Sequence, residues 1–540
     1  MHLRRFSFLV VPSVAAWLGC AGGEPGTSPE SDEGLPQVVV VDPGQAGDGT
    51  WMGVELAAGC DTDGGTPSNT VLVTSSTRYH TAAGVATRPN DMSASPPEVL
   101  VPNGLTFTRI TGTAVDGGYQ FTGVPSGAYY LKTGTSYIVT DERQVELGTN
   151  RLGRADTVFT SQYVTPLQLN LSGLAPWTPY RSSFLPGSSV AVASGQVEVF
   201  GEMEFPGGVA AGQTSLVTNQ ASLPNFMGNF PVFSASAGDK LYVSQLGQQD
   251  AGTLPDGGAL AYETVVRGLE TSAFNFTPNG TAALPISGVM QPVSMTELPI
   301  EWRLPEYTIR ASEVHPAATL GTSTFSIVPA AHGLTNGWIG YSGELLNLLL
   351  PQGASFNLTR RLTYGNPFPS TWGVVGTTSY SFRVVGTVAG SPTQYTVSGS
   401  IATSDRLENL VAGPLLPRVT SPRSLSIDGI AASVQREVGT VSPVISWLPP
   451  SMGSPSAYRM TLYRFPPGQT NATTHARFYL PGSATQVRLP AGTLAPASIY
   501  YLRVTAVDAP NYDVEHEPFV SAERLPYASA DALSSLFTTP

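Results

Sequence analysis

Lysine is almost missing from this chain: among 27 basic residues only Lys132 and Lys240 are lysine. Charge of either sign is scarce, 12% of residues against ~25% in ordinary soluble domains. The balance is negative, formally −12, and no basic stripe is present for a phosphate backbone, so a nucleic-acid partner is not expected. Catalytic signatures are absent too: there is no H-E-x-x-H, G-x-S-x-G, P-loop or G-x-G-x-x-G. The six histidines (His2, His80, His315, His332, His475 and His516) are scattered. Beyond the first twenty residues no apolar run reaches the ~20 residues of a membrane-spanning helix. The longest, 345–350, follows Glu344 and is broken by Asn347; it reads as a two-turn core helix.

What is present points to strands. Glycine (57) and proline (46) are scattered among Val, Thr, Tyr and Phe along 540 residues, the texture of short strands joined by tight turns. Period-two segments fall at 70–75, 99–111, 196–203, 240–246, 259–267, 380–388 and 394–401, and Pro255-Asp256-Gly257-Gly258 is a turn between two of them. The length allows three or four domains of ~150 residues. The expected fold is all-β, with several β-sandwich domains in series.

The N-terminus bears on the compartment. Arg4 and Arg5 precede an apolar run from Phe6 to Leu18 that ends at Gly19-Cys20, too short to span a membrane and laid out as a signal peptide. The segment resembles a bacterial lipoprotein signal, although Trp17-Leu18 departs from that family's preferred Leu and small residue. The resemblance implies cleavage before Cys20 and its lipidation. Residues 21–37, rich in Gly, Pro and Ser with four acids, then form a disordered tether. With Cys20 lipidated, Cys60 is a lone and inert thiol; without it, the two can pair. The expected location is the cell envelope, outer membrane by the family's sorting pattern, with the membrane reached through the N-terminal lipid.

Two segments resemble known modules. Thr113-Ala-Val-Asp116-Gly117-Gly-Tyr119-Gln-Phe121, continued by Val124-Pro125-Ser-Gly127-Ala-Tyr129-Tyr-Leu131, is similar to the second half of a carboxypeptidase-regulatory-like domain, a non-catalytic sandwich placed at 38–159. Asp-Gly supplies a hairpin turn, and Tyr119, Phe121, Tyr129 and Leu131 alternate toward a core. Residues 415–540 resemble a fibronectin type III domain: Trp447 on a B strand, Tyr458, Met460 and Leu462 on C, and Leu494-x-Pro496-x-Ser498-x-Tyr500-x-Leu502-x-Val504-x-Ala506. That resemblance makes Tyr500 a tyrosine corner. It also makes 534–539 the last strand and 508–531 a long F–G loop.

The middle, 160–414, matches no family pattern; a large sandwich ranks ahead of a β-propeller, since blade repeats of ~40–50 residues are not visible. Asp513-Val-Glu515-His516-Glu517 is the densest polar cluster and reads as a solvated loop rather than a metal site. Asp61-Thr-Asp63-Gly64-Gly65 lacks the later ligands of a calcium loop and reads as a turn. Trp177, Trp302, Trp338 and Trp372 read as core rather than sugar platforms. Glu198, Glu202 and Glu204 read as a solvated strand face. The expectation is a non-catalytic surface lipoprotein, without metal or cofactor, displaying modules to a protein or glycan ligand. The alternative is a secreted hydrolase or glycan-binding protein whose active surface lies in 160–414.

Overall fold

A computed structural model describes residues 69–160, 165–205, 207–223, 230–388, 394–466 and 471–540. The signal segment, Cys20, the tether, Cys60 and the Asp61–Gly65 turn lie outside the described residues. Strand makes up about 52% of the structure and helix 4%, so the all-β expectation holds. No helix among the described residues is long and apolar enough to cross a membrane.

The C-terminal module is a fibronectin type III-like sandwich. Arg423–Ile427, Val444–Leu448 and Gln486–Arg488 form one sheet in that order. The facing sheet runs Thr473–Pro481, Ala457–Phe465, Ile499–Asp508 and then Tyr527–Leu533. Alternation explains the packing: Tyr458, Met460 and Leu462 on one strand meet Leu502, Val504 and Ala506 on its neighbour, all fully buried. Trp447 is buried against Tyr458, ring centroids 5.3 Å apart. The Tyr500 hydroxyl accepts the Ala495 backbone N–H at 2.9 Å, closing the crossover as expected. One expectation needs correction. The last edge begins at Tyr527 and is broken into Tyr527–Leu533 and Phe537–Thr538. At the break the Ser534 hydroxyl takes the Leu502 N–H at 2.9 Å, replacing a ladder bond with a side chain. The F–G connection is accordingly shorter than 508–531.

In the N-terminal module Thr113–Val115 and Gly118–Thr122 form a hairpin across Asp116-Gly117, with Gly117 at φ 73°. Phe121, Tyr129 and Leu131 fill one core with Val71, Val73 and Ile138, and Tyr119 packs at its margin. The 99–111 segment is a hairpin instead of one strand, Glu98–Asn103 against Thr106–Thr111. It folds at Gly104, whose φ of 59° suits glycine.

The middle region holds one long antiparallel run: Val199–Glu202, Ser189–Ser194, Tyr242–Thr253, Ala259–Glu270, Leu346–Leu350, Thr319–Ala330, Gly373–Thr387 and Gln394–Arg406. Leu167–Ser172, with Ser215–Ala221 and Leu284–Val289 at its sides, forms a second sheet. Its leucines Leu167, Leu169 and Leu171 face a separate core. A continuous run is not a ring of separate blades, so the propeller alternative does not describe it. The helix expected at 345–350 is instead the strand Leu346–Leu350. Both of its faces are covered, and a doubly buried strand loses the alternation by which strands are recognised.

The three regions share strand pairing. Ser136–Ile138 of the N-terminal module pairs in parallel with Arg477–Tyr479. Ile401–Ser404 of the middle pairs with Tyr527–Ala530. The C-terminal module is thus joined edge to edge with both of its neighbours.

Candidate functional site

The strongest concentration of unusual chemistry lies in the middle region. Glu202 ends one strand, Glu263 sits within Ala259–Glu270 directly opposite Asn347, and both glutamates line a cavity of about 150 Å³. The 180–189 segment forms one wall. It is held by the Ala261 N–H donating to Phe184 O at 2.9 Å and the Ser188 N–H donating to Thr178 O at 2.7 Å. Gly187 is required there, since a Cβ would fall 2.5 Å from the Tyr180 backbone nitrogen. Glu344 is buried close enough to interact with both glutamates. No lysine, arginine or histidine lines the cavity.

The electrostatics follow from that crowding. Burial, then the negative charge of Glu202, pushes Glu263 up to about 8, against the opposing hydrogen bond from Asn347. Glu344 is raised well above the usual carboxylate range by burial, then by Glu263 and Glu202. Glu202 is raised by burial, opposed by Ser189 and assisted by Glu204. It is packed among protein atoms yet keeps an exposed face toward the cavity. Like charges without a cation cannot all ionise, and near neutral pH the cluster holds protons.

Of the solvated face expected for Glu198, Glu202 and Glu204, the last two are exposed and alternate with buried Met203, Glu202 also lining the cavity, whereas Glu198 precedes the strand and pairs with Arg151 at 2.6 Å. Glu263 and Glu344 were not singled out from sequence. Their signal was a carboxylate embedded in an apolar strand and another abutting the Leu345 run.

The described histidines each donate to a fixed acceptor. His332 Nε2 donates to Gly195 O at 2.7 Å, His475 Nε2 to Thr493 O at 2.7 Å, and His516 Nδ1 to Gln144 O at 2.8 Å. His80 Nε2 donates to Asn150 Oδ1 at 3.0 Å. His315 stands 3.1 Å from the Ser535 hydroxyl, a pair that sequence separation concealed. Its Nδ1 accepts the Ala317 N–H, so the proton is on Nε2 and points at the serine, which itself donates to Ser433 O. A histidine donating to serine is in the wrong tautomer to serve as its base. Burial lowers the His80, His315 and His332 pKa values, keeping these rings neutral.

The 513–517 cluster is a clasp between modules rather than a solvated loop. Asp513 Oδ1 accepts the Glu515 and His516 N–H groups, Glu146 N–H donates to His516 O, and Glu517 bridges Arg78 and Arg524. Val514 and Phe519 are buried beside it, which explains why the loop is docked. Asn150 donates onward to Glu523, whose pKa burial pushes up to about 7. Trp177, Trp302, Trp338 and Trp372 are all buried and offer no sugar platform. No group of three or more His, Cys, Asp or Glu among the described residues is disposed to hold a metal.

With strand order and site in hand, the chain is of the class of modular all-β proteins with a fibronectin type III-like sandwich. No family model and no curated protein matches it. Among solved structures, the FN1–FN3 domains of chicken CNTN1 are similar at 10% identity, covering 68% of this chain and 99% of that one with a TM-score of 0.13. So slight a likeness carries no argument, and the module is defined by its own strand order.

Proposed function

We propose that the protein is a non-catalytic surface lipoprotein of the cell envelope, anchored through Cys20, that displays a block of β-modules for adhesion or envelope interaction. One observation carries this reading. An apolar run ending at Cys20 and a 21–37 tether precede modules joined by shared strand pairing, an arrangement suited to holding a rigid surface away from a membrane. The 38–159 module is read as carboxypeptidase-regulatory-like on its Asp116-Gly117 hairpin and aromatic alternation. The fixed tautomers of the described histidines support a non-catalytic role. Labelling cells with a fatty-acid probe is expected to mark the wild type and miss Cys20→Ser. Equal labelling of both overturns the anchor.

A second reading, a glycan hydrolase or binder, draws on Glu202 and Glu263 sharing a cavity in 160–414. Glycoside hydrolysis needs one carboxyl ionised while the other is protonated, whereas here burial raises both. The volume, about 150 Å³, is also below the ~300 Å³ at which pockets for ligands as large as a sugar chain begin. Display remains the favoured reading.

A further inference from the structure

The cavity is lined by carboxyl, hydroxyl and amide groups and by no cationic side chain. Glu202 and Glu263 contribute carboxylates, and Ser189 and Thr324 contribute hydroxyls at its wall. Asn347 also lines it and is only 7% exposed. Its Nδ2 donates to Glu263 Oε1 at 3.3 Å, while its Oδ1 is buried with no hydrogen-bond partner. A buried amide oxygen left unpaired costs ~1–3 kcal/mol, so such a group calls for a donor. Once ionised, the two carboxylates have no cation among the lining residues. Pro186 and Leu349 provide an apolar flank.

We propose that this cavity binds an organic ammonium group, its N–H donors directed to Glu202, Glu263 and the Asn347 Oδ1 and its alkyl stem lying along Pro186 and Leu349. The inference goes beyond the display reading and is independent of it. An ammonium satisfies both demands, charge and N–H donation, where a bare metal ion supplies only the first and needs a tight ligand set that the described acids do not form. At about 150 Å³ the space admits a chain-end ammonium with a few methylenes. A lysine side chain on a partner and a free aliphatic amine share this chemistry. Seating the cation requires the acids to ionise, so binding releases protons. Glu204 and Glu344 share the surrounding field and oppose ionisation until the cation enters, while the phenol of Tyr341 beside them stays neutral.

The test is calorimetric titration of the full chain with n-butylamine. Further arms use 1,4-diaminobutane, Nα-acetyl-lysine methylamide, tetramethylammonium and Ca²⁺. Binding of n-butylamine is expected, tightening from about pH 6 to about pH 8.5 while the amine stays charged. It is expected to weaken roughly tenfold or more in Glu263→Gln and Glu202→Gln, which remove charge at nearly constant shape. Tetramethylammonium, charged but without N–H, is expected to bind far more weakly. Tighter binding of the lysine derivative than of the diamine assigns a protein source, and the reverse a free amine; either supports the site. No uptake at millimolar n-butylamine overturns the proposal. So does affinity unchanged in both folded variants, tetramethylammonium binding as well as n-butylamine, or Ca²⁺ binding in place of the amines.

Discussion

Replacing Glu263 with Gln separates the burden of a buried charge from the contribution of a side chain. In the unfolded chain this carboxyl titrates near 4.5, and in the folded protein at about 8. A raised folded value means that the native state holds a proton that the unfolded state has released. Stability is therefore fully present below about 4.5, falls as pH rises, and has lost its whole contribution above about 8. The gap is roughly three and a half units at ~1.36 kcal/mol each, a ceiling of ~5 kcal/mol. Glu202 and Glu344 share the same protons, and the open cavity face admits water, which reduces the expected effect to ~2–4 kcal/mol. Glutamine mimics the protonated acid and keeps an oxygen for Asn347. The variant should match wild type within ~1 kcal/mol at about pH 5 and exceed it by ~2–4 kcal/mol at about pH 9. Paired calorimetric melts across that range measure the difference, which is safer than one unfolding free energy for a modular chain. Parallel pH curves for the two proteins would refute the reasoning. A variant weaker at every pH would show instead that the ionised carboxylate is structural.

Tyr500→Phe leaves the Ala495 N–H without its acceptor and should destabilise the C-terminal module by ~1–3 kcal/mol in urea unfolding; no change would remove the corner from the stabilising contacts. Glu517→Gln should weaken the clasp. Burial alone would raise the Glu517 pKa, but Arg524 and Arg78 hold it below the usual range, so the clasp is lost as pH falls through that value. Faster limited proteolysis within 509–526 is the expected readout, and an unaltered cleavage rate would mean that apolar docking of Val514 and Phe519 is sufficient. Leu348→Ala, in the doubly covered strand, should cost ~2–5 kcal/mol, whereas a cost below ~1 kcal/mol would place that residue at a loosely packed edge.

The C-terminal sandwich was legible because its inward positions alternate and its Trp447 and Tyr500 occupy places that the fold makes distinctive. The Asp116-Gly117 hairpin was legible for the same local reason, turn chemistry between alternating strands. The Leu345 run misled because covering both faces erases periodicity, leaving a string of leucines that suits either state. The 513–517 cluster looked solvated since its polar residues are adjacent in sequence, while their partners Arg78 and Gln144 lie in another module. The cavity was illegible for a stronger version of that reason. Glu202, Glu263 and Asn347 come from three separated strands, and nothing local marks any of them as facing the others.

The parallel pairing of Ser136–Ile138 with Arg477–Tyr479 also sets the timetable on which the protein becomes itself. The N-terminal module emerges first during synthesis, yet the edge that completes its sheet is encoded roughly 340 residues downstream. At ~5–20 residues per second, the interval between the two is tens of seconds. Throughout it the Ser136–Thr140 edge stands open, able to pair with any other extended chain. A protein built this way gains from staying unfolded until its last strands are made, and a truncation that removes only the C-terminal sandwich would expose that open edge in the first module.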